Sequence, residues 1–174
     1  MGKMGKFDMR GLKEFQKQLE KLQNPDAFVE SCAKELAARL LRMVIKRTPV
    51  GDYDKYWTDT DGTRLVDKNN KQIVLKKSSK KGGTLRRGWT ASKNSSATGY
   101  AESLTVNHFG DTYVIEIVNP VEYASYVEYG HRTPNHKGWV RGQFMMTISE
   151  QELKKIAPRV LENKIKKYLE GCIK

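Results

Sequence analysis

The sequence predicts an α+β fold: an antiparallel sheet of about three to four strands packed on helices, with a long C-terminal helix and an inserted charged arm. Three observations predict it. Apolar residues recur at helical spacing near both ends of the chain. Alternating and β-branched runs cluster between residues 85 and 118, with Gly110-Asp111 placed for a tight hairpin turn. Residues 51–82 are instead rich in Asp, Lys, Thr, Ser and Gly. The 174 residues are expected to form a single domain, with 51–82 as an arm inserted in it.

The first expected helix is capped by Asp8, carries Leu12, Phe15, Leu19 and Leu22 on one side, and ends near Gln23. Asn24-Pro25 then reads as a cap followed by proline at the first helical position. The next helix runs to Arg47 and stops before Thr48-Pro49. Its stripe is Val29, Cys32, Ala33, Leu36, Leu40, Met43 and Val44, widened by Ala37, Leu41 and Ile45. So apolar a helix is either central to the domain or an interface between subunits. Within the arm, Arg64–Asp67 and Gln72–Leu75 flank Lys68-Asn69-Asn70-Lys71 as a hairpin. Strands are expected over Leu85–Ala91, Leu104–His108 and Tyr113–Val118, ended by Asn119-Pro120. Val121–Tyr129 reads as a short helix closed by Gly130, and His131–Gly142 as a loop. Ser149-Glu150-Gln151-Glu152 is a capping-box pattern for the last helix, which Pro158 should bend. No internal repeat is read in the chain.

Lys plus Arg number 32 and Asp plus Glu 20, for a net charge of +12. That balance favours acidic partners: nucleic acid, acidic protein surfaces or anionic lipid. The charge is uneven: residues 100–141 are net −2, between stretches of net +6 (51–99) and net +3 (142–174). A subunit with two differently charged faces can stack head to tail on its own copies. No stretch approaches the ~20 apolar residues that cross a bilayer, so no membrane partner is expected. The N-terminus has no apolar signal core, and two cysteines make no disulfide framework. The chain is expected to be made in a reducing cytoplasm.

Chemistry-bearing motifs are few. There is no phosphate-binding lysine loop or dinucleotide fingerprint, and Gly82-Gly83-Thr84 is expected to precede a strand. His131 and His136 lack carboxylate or thiol partners at metal-ligand spacing. Asp52, Asp54, Asp59 and Asp61 cluster, but a calcium loop from Asp59 needs glycine where Arg64 stands. Cys32 lies on an apolar helix stripe and reads as a core thiol. Glu122 and Glu128 are carboxylates with no second catalytic group beside them. The expectation is a protein that is not an enzyme, with no catalytic residue, no cofactor and no metal. The densest feature is Tyr123-Ala-Ser-Tyr126-Val-Glu-Tyr129, whose rings suit either a subunit interface or cover for the end of the sheet.

Four pieces of the chain together resemble one family: Leu40–Val50 with its Thr-Pro-Val ending, Gly83-Thr-Leu-Arg-Arg-Gly-Trp89, Asn119-Pro-Val-Glu-Tyr-Ala-Ser-Tyr-Val-Glu-Tyr-Gly-His-Arg132, and Trp139–Met145. The family is the small head–tail joining or tail-completion proteins of long-tailed bacteriophages and prophages, also called minor tail components. In that family the Thr-Pro-Val turn runs almost directly into a Thr-Gly-x-Leu-Arg segment; here residues 51–82 intervene. The resemblance implies a structural protein of the virion neck or upper tail, assembled as a ring between head connector and tail tube. Relatives there often form hexameric homo-oligomers. It also implies contacts with other neck and tail proteins, and with DNA passing through the channel. On this reading Tyr123, Tyr126, Tyr129, Trp139 and Phe144 pack at a subunit boundary. Lys76, Lys77, Lys80 and Lys81 reach an acidic neighbour. The competing reading is a free basic nucleic-acid-binding module. Against it, the basic runs and the tyrosine run are separate in sequence, whereas single-strand platforms interleave them.

Overall fold

The computed structural model describes residues 25–91, 96–110 and 112–173. The expected helix over 8–23, the Asn24 cap and Asp111 of the hairpin turn lie outside the described residues. The elements in order are α1 (Pro25–Arg47), β1 (Lys55–Tyr56), β2 (Val74–Lys76), α2 (Thr84–Gly88), α3 (Ala97–Ser103), β3 (Asn107–Phe109), β4 (Thr112–Val114), α4 (Ala124–Tyr129), β5 (Gly130–Arg132), β6 (Trp139–Arg141) and α5 (Met145–Ile173). The fold is α+β, with antiparallel pairing and a long C-terminal helix, as predicted. The strands form three two-stranded sheets, β1–β2, β3–β4 and β5–β6, where one sheet of three or four strands was expected. The chain divides into two compact units, residues 1–43 with 95–117 and 146–174, and residues 44–94 with 118–145.

In the first unit α1 and α5 run antiparallel. Phe28 and Tyr168 rings meet at 4.3 Å between centroids. A turn further along α1, Lys164 Nζ donates to the Ser31 carbonyl at 2.6 Å and pairs with Glu35 at 3.2 Å. The deepest residues on α1 include Ala37, Ala38 and Leu41, more buried than most of the predicted stripe. Cys32 is buried, and that burial raises its thiol pKa, which keeps it protonated and weakly nucleophilic. On α3, Ser96 caps the helix by accepting from Gly99 N at 3.1 Å, and Ala101 is fully buried. The β3–β4 hairpin turns at Gly110, whose φ is +60°, with Asn107 opposite Val114. Its cross-strand pair His108 and Tyr113 reaches α1: His108 meets Glu30 at 3.1 Å, and the Tyr113 hydroxyl donates to Asp26.

The second unit is centred on Thr48. Its hydroxyl donates to Val44 O at 2.7 Å and accepts from Trp89 Nε1 at 2.7 Å. Its carbonyl accepts two bonds from the Arg86 guanidinium, at 2.6 and 3.1 Å. Thr48 is fully buried and Trp89 is 5% exposed. Residues Thr84–Gly88 form a helix, which corrects the expected strand over 85–91. Leu85 and Trp89 are four apart and satisfy a period of two or of 3.6 equally; buried Gly88 belongs only to the helical face. A Cβ on Gly88 would stand 2.2 Å from Asn119 Oδ1, so any larger residue here would displace the Asn119 side chain. Asn119 in turn donates to Leu85 O at 2.9 Å and accepts from Val121 N at 3.2 Å. The last helix starts at Met145, so the Ser149 pattern is not its cap; Ser149 is buried inside it. Pro158 also lies inside α5.

Thr48→Val keeps the shape but removes the acceptor of the Trp89 indole, leaving a buried N–H unpaired. Destabilisation of about 1–3 kcal/mol is expected, with Thr48→Ser close to wild type. Urea unfolding curves of the two variants check this; equal midpoints would refute the bond's contribution.

Candidate interaction surfaces

The Tyr123–Tyr129 segment begins just after Asn119-Pro120. Ala124–Tyr129 is helical and closes on Gly130, which stands at φ +87°. The predicted loop after it is instead the β5–β6 hairpin, with His131 opposite Val140 and Arg132 opposite Trp139. Thr133 makes that hairpin: its amide donates to Gly138 O, and its hydroxyl accepts from Gly138 N, each at 3.0 Å. Behind it the chain is clamped to α4, since Gln143 N donates to Val127 O at 2.8 Å and Phe144 N to Glu128 O at 3.0 Å. Gly142 allows this approach, as a Cβ there would lie 2.3 Å from Glu128 O. Phe144 takes φ +49°, a left-handed conformation rare for an aromatic residue and held here by the clamp.

On this frame the predicted aromatics stand outward. Tyr123 is 44% exposed, Tyr126 58%, Tyr129 63% and Trp139 63%; Phe144 is half-buried. Tyr126 meets His131 edge-on at 5.8 Å. Glu128 is buried and Glu122 exposed, so the two carboxylates occupy different environments. Beside Tyr123 an apolar groove of about 310 Å³ is lined by Pro49, Val50, Tyr53, Leu85 and Val127. Gly83-Thr84 borders it as the start of α2, not of a strand.

The predicted cationic residues Lys76, Lys77, Lys80 and Lys81 are all exposed. Lys76 stands directly opposite Lys55 in the β1–β2 pair, a like-charge arrangement that repels unless an anion lies between or against the two. Tyr53, Lys55, Lys76, Lys77, Ser78 and Ser79 line a hollow of about 400 Å³. In the first unit a second cationic groove, about 440 Å³, is lined by Arg39, Arg159, Lys164 and Lys167. Glu35 on its wall is held below the usual carboxylate range by its bond from Arg39 and by Lys164.

The arm also contains what the sequence reading missed, an eight-residue repeat. Trp57-Thr-Asp-Thr-Asp-Gly-Thr-Arg64 is followed by Leu65-Val-Asp-Lys-Asn-Asn-Lys-Gln72 and then by Ile73-Val-Leu. Asp59 Oδ1 accepts from the amides of Asp61 and Thr63, and Asp67 Oδ1 from those of Asn69 and Lys71, two identical turns one repeat apart. The aspartate spacing is the signal for it in the sequence, where it also matches an incomplete cation loop. Among the described residues no cluster of three metal-ligating side chains occurs.

Bonds from Asp59 and from Thr63 hold Asp61 down to about 2. Asp52 is lowered by the Asp54 amide, the Tyr56 hydroxyl and Arg64. Depressed folded-state values stabilise the arm's turns above the ordinary carboxylate pKa of ~3.9 and stop doing so as pH falls through the folded values. The Thr63 amide, which donates to Asp61 Oδ1 at 2.8 Å, should therefore show a resonance that titrates with a midpoint near 2; a midpoint near ~4 would refute the turn geometry.

The model of one protein family, described as “Bacteriophage HK97-gp10, putative tail-component”, matches residues 13–130. That span includes Thr48, the arm, Trp89 and the three tyrosines, while Trp139 and Phe144 lie beyond it. No curated protein and no solved structure matches the chain.

Proposed function

The chain belongs to the HK97 gp10-like family of bacteriophage tail components, which makes it a structural protein of the virion, and from that premise we propose that it joins head to tail. On this reading it is made in the host cytoplasm and assembles as a ring, hexameric as in relatives, in the neck between head connector and tail tube. The observation that carries the proposal is the row of Tyr123, Tyr126, Tyr129 and Trp139, each 44–63% exposed on a frame clamped by backbone bonds. Tyrosine and tryptophan offer large, rigid contact areas at small entropic cost and dominate the energetics of many interfaces. A ring needs two different patches on each subunit, because its contacts are heterologous. The tyrosine row with Phe144 supplies one. Lys76, Lys77, Lys80 and Lys81 supply a cationic surface for an acidic neighbour, either another ring of the neck or the DNA in its channel.

Tyr126→Ala should give a folded protein with the wild-type melting temperature and a lower assembly state by sedimentation velocity. Unfolding of the variant would make the ring a core residue and overturn the interface. The arm leaves and returns at one point, since a Cβ on Gly82 would lie 2.0 Å from Gly51 O. Joining Gly51 to Gly83 should preserve the remaining fold and block particle assembly in a complementation assay. Full complementation would remove the arm from the assembly role.

A further inference from the structure

Residues 55–76 form a small three-cornered β module, and its central hydrogen bonds close a ring. Trp57 N donates to Ile73 O at 3.0 Å, Ile73 N to Leu65 O at 2.9 Å, and Leu65 N to Trp57 O at 2.8 Å. Each segment is thus bonded to both others, and the bridges Thr58–Arg64, Val66–Gln72 and Tyr56–Val74 form the corners. The three central residues are equivalent positions of the eight-residue repeat, so the module has approximate threefold symmetry.

The two faces of the module differ. Residues 56, 64 and 72 are also equivalent, and they touch: the Arg64 guanidinium lies 4.0 Å from the Tyr56 ring centroid and donates to Gln72 Oε1 at 2.9 Å. Successive strand residues point to opposite faces. Trp57, Leu65 and Ile73 therefore share the other face. They are 51%, 40% and 38% exposed, so three adjacent apolar side chains stand open on a projecting element.

We propose that this apolar triad docks into the Pro49–Val50–Tyr53–Leu85–Tyr123–Val127 groove of a second copy of the chain. This rests on the ring reading above and adds the element that joins one subunit to the next. Three observations select a second copy as occupant. Knob and groove lie on one chain, both apolar and both open, and Trp57 is half-exposed and so does not fill its own groove. The groove's volume of about 310 Å³ has room for the Trp57 indole, with Leu65 and Ile73 resting against its rim. The charges also bear on this: residues 71–81 hold five lysines and no acid, and the exposed carboxylate of Glu122 stands next to Tyr123 of the groove. The groove is continuous through Tyr123 with the exposed tyrosine row. A knob and a groove at different places on a subunit make a heterologous contact, which repeats around a ring.

The test uses Leu65→Cys and Val50→Cys proteins, each with Cys172→Ser, leaving buried Cys32 as the remaining native thiol. Mixed and mildly oxidised, they should form a disulfide dimer that neither forms alone. The Trp57→Ser, Leu65→Ser, Ile73→Ser protein should need at least a tenfold higher concentration than wild type to assemble, with an unchanged far-ultraviolet spectrum. Trp57→Ser alone should shift assembly in the same direction if the triple variant misfolds. Wild-type rings with no cross-link, and unaltered assembly of the triad variants, would overturn the arm contact and leave the ring standing. A wild-type chain monomeric at every concentration would overturn both.

Discussion

The bond from the Trp89 indole to the Thr48 hydroxyl is the constraint on which the second unit depends. One buried hydroxyl terminates α1 by bonding back to Val44, and it receives the tryptophan that closes α2. The carbonyl of the same residue holds Arg86. Proline at 49 prevents the helix from continuing, so the chain must leave at this point. Asn119 ties α2 to the segment that leads into the tyrosine row. Thr48-Pro49, Arg86, Gly88-Trp89 and Asn119-Pro120 are distant in sequence and form one hydrogen-bonded assembly. Its product is a fixed exit for the arm and a fixed start for the aromatic segment.

The residue types at these positions explain why the motifs were legible and the structure between them less so. A threonine before proline at the end of an apolar stripe, an Asn-Pro pair, a glycine after Tyr129 and Gly110 are local signals, and α1, α4 and the β3–β4 turn follow from them. Leu85–Ala91 was read with the wrong period because a four-residue spacing serves strand and helix alike; the deciding residue, Gly88, packs against Asn119, 31 positions away. The β5–β6 hairpin was hidden for a related reason. It is made by the Thr133 side chain and backbone meeting Gly138 across a turn that contains proline. The start of α5 came four residues before its apparent cap, because Ser149 is buried in the helix instead of ending it.

The arm shows a different limit. Its hairpin over 64–75 was legible from Lys68-Asn69-Asn70-Lys71, and Asn70 adopts the left-handed conformation such a turn needs. The neighbouring hairpin over 57–65 uses the same device, an aspartate accepting from amides two and four residues on. It passed unrecognised because Asp59-Thr60-Asp61-Gly62 invites comparison with a cation loop. Once both aspartates are spent on their own backbone, they order turns and are poor ligands. A module of 22 residues has too little interior to bury three apolar side chains, so Trp57, Leu65 and Ile73 remain open by geometry.

Closure by hydrogen bonding has a further consequence for assembly. A projecting β element normally offers an unpaired edge, and edges recruit strands without much regard to sequence. Here the central amides and carbonyls of all three segments are used within the ring of Trp57, Leu65 and Ile73. What the arm presents is therefore side chains, an apolar face bordered by lysines, and not open backbone. Recognition through side chains can be specific to one groove, whereas edge pairing would extend without limit. For the ring proposed above, the first kind of contact is the one that lets assembly close.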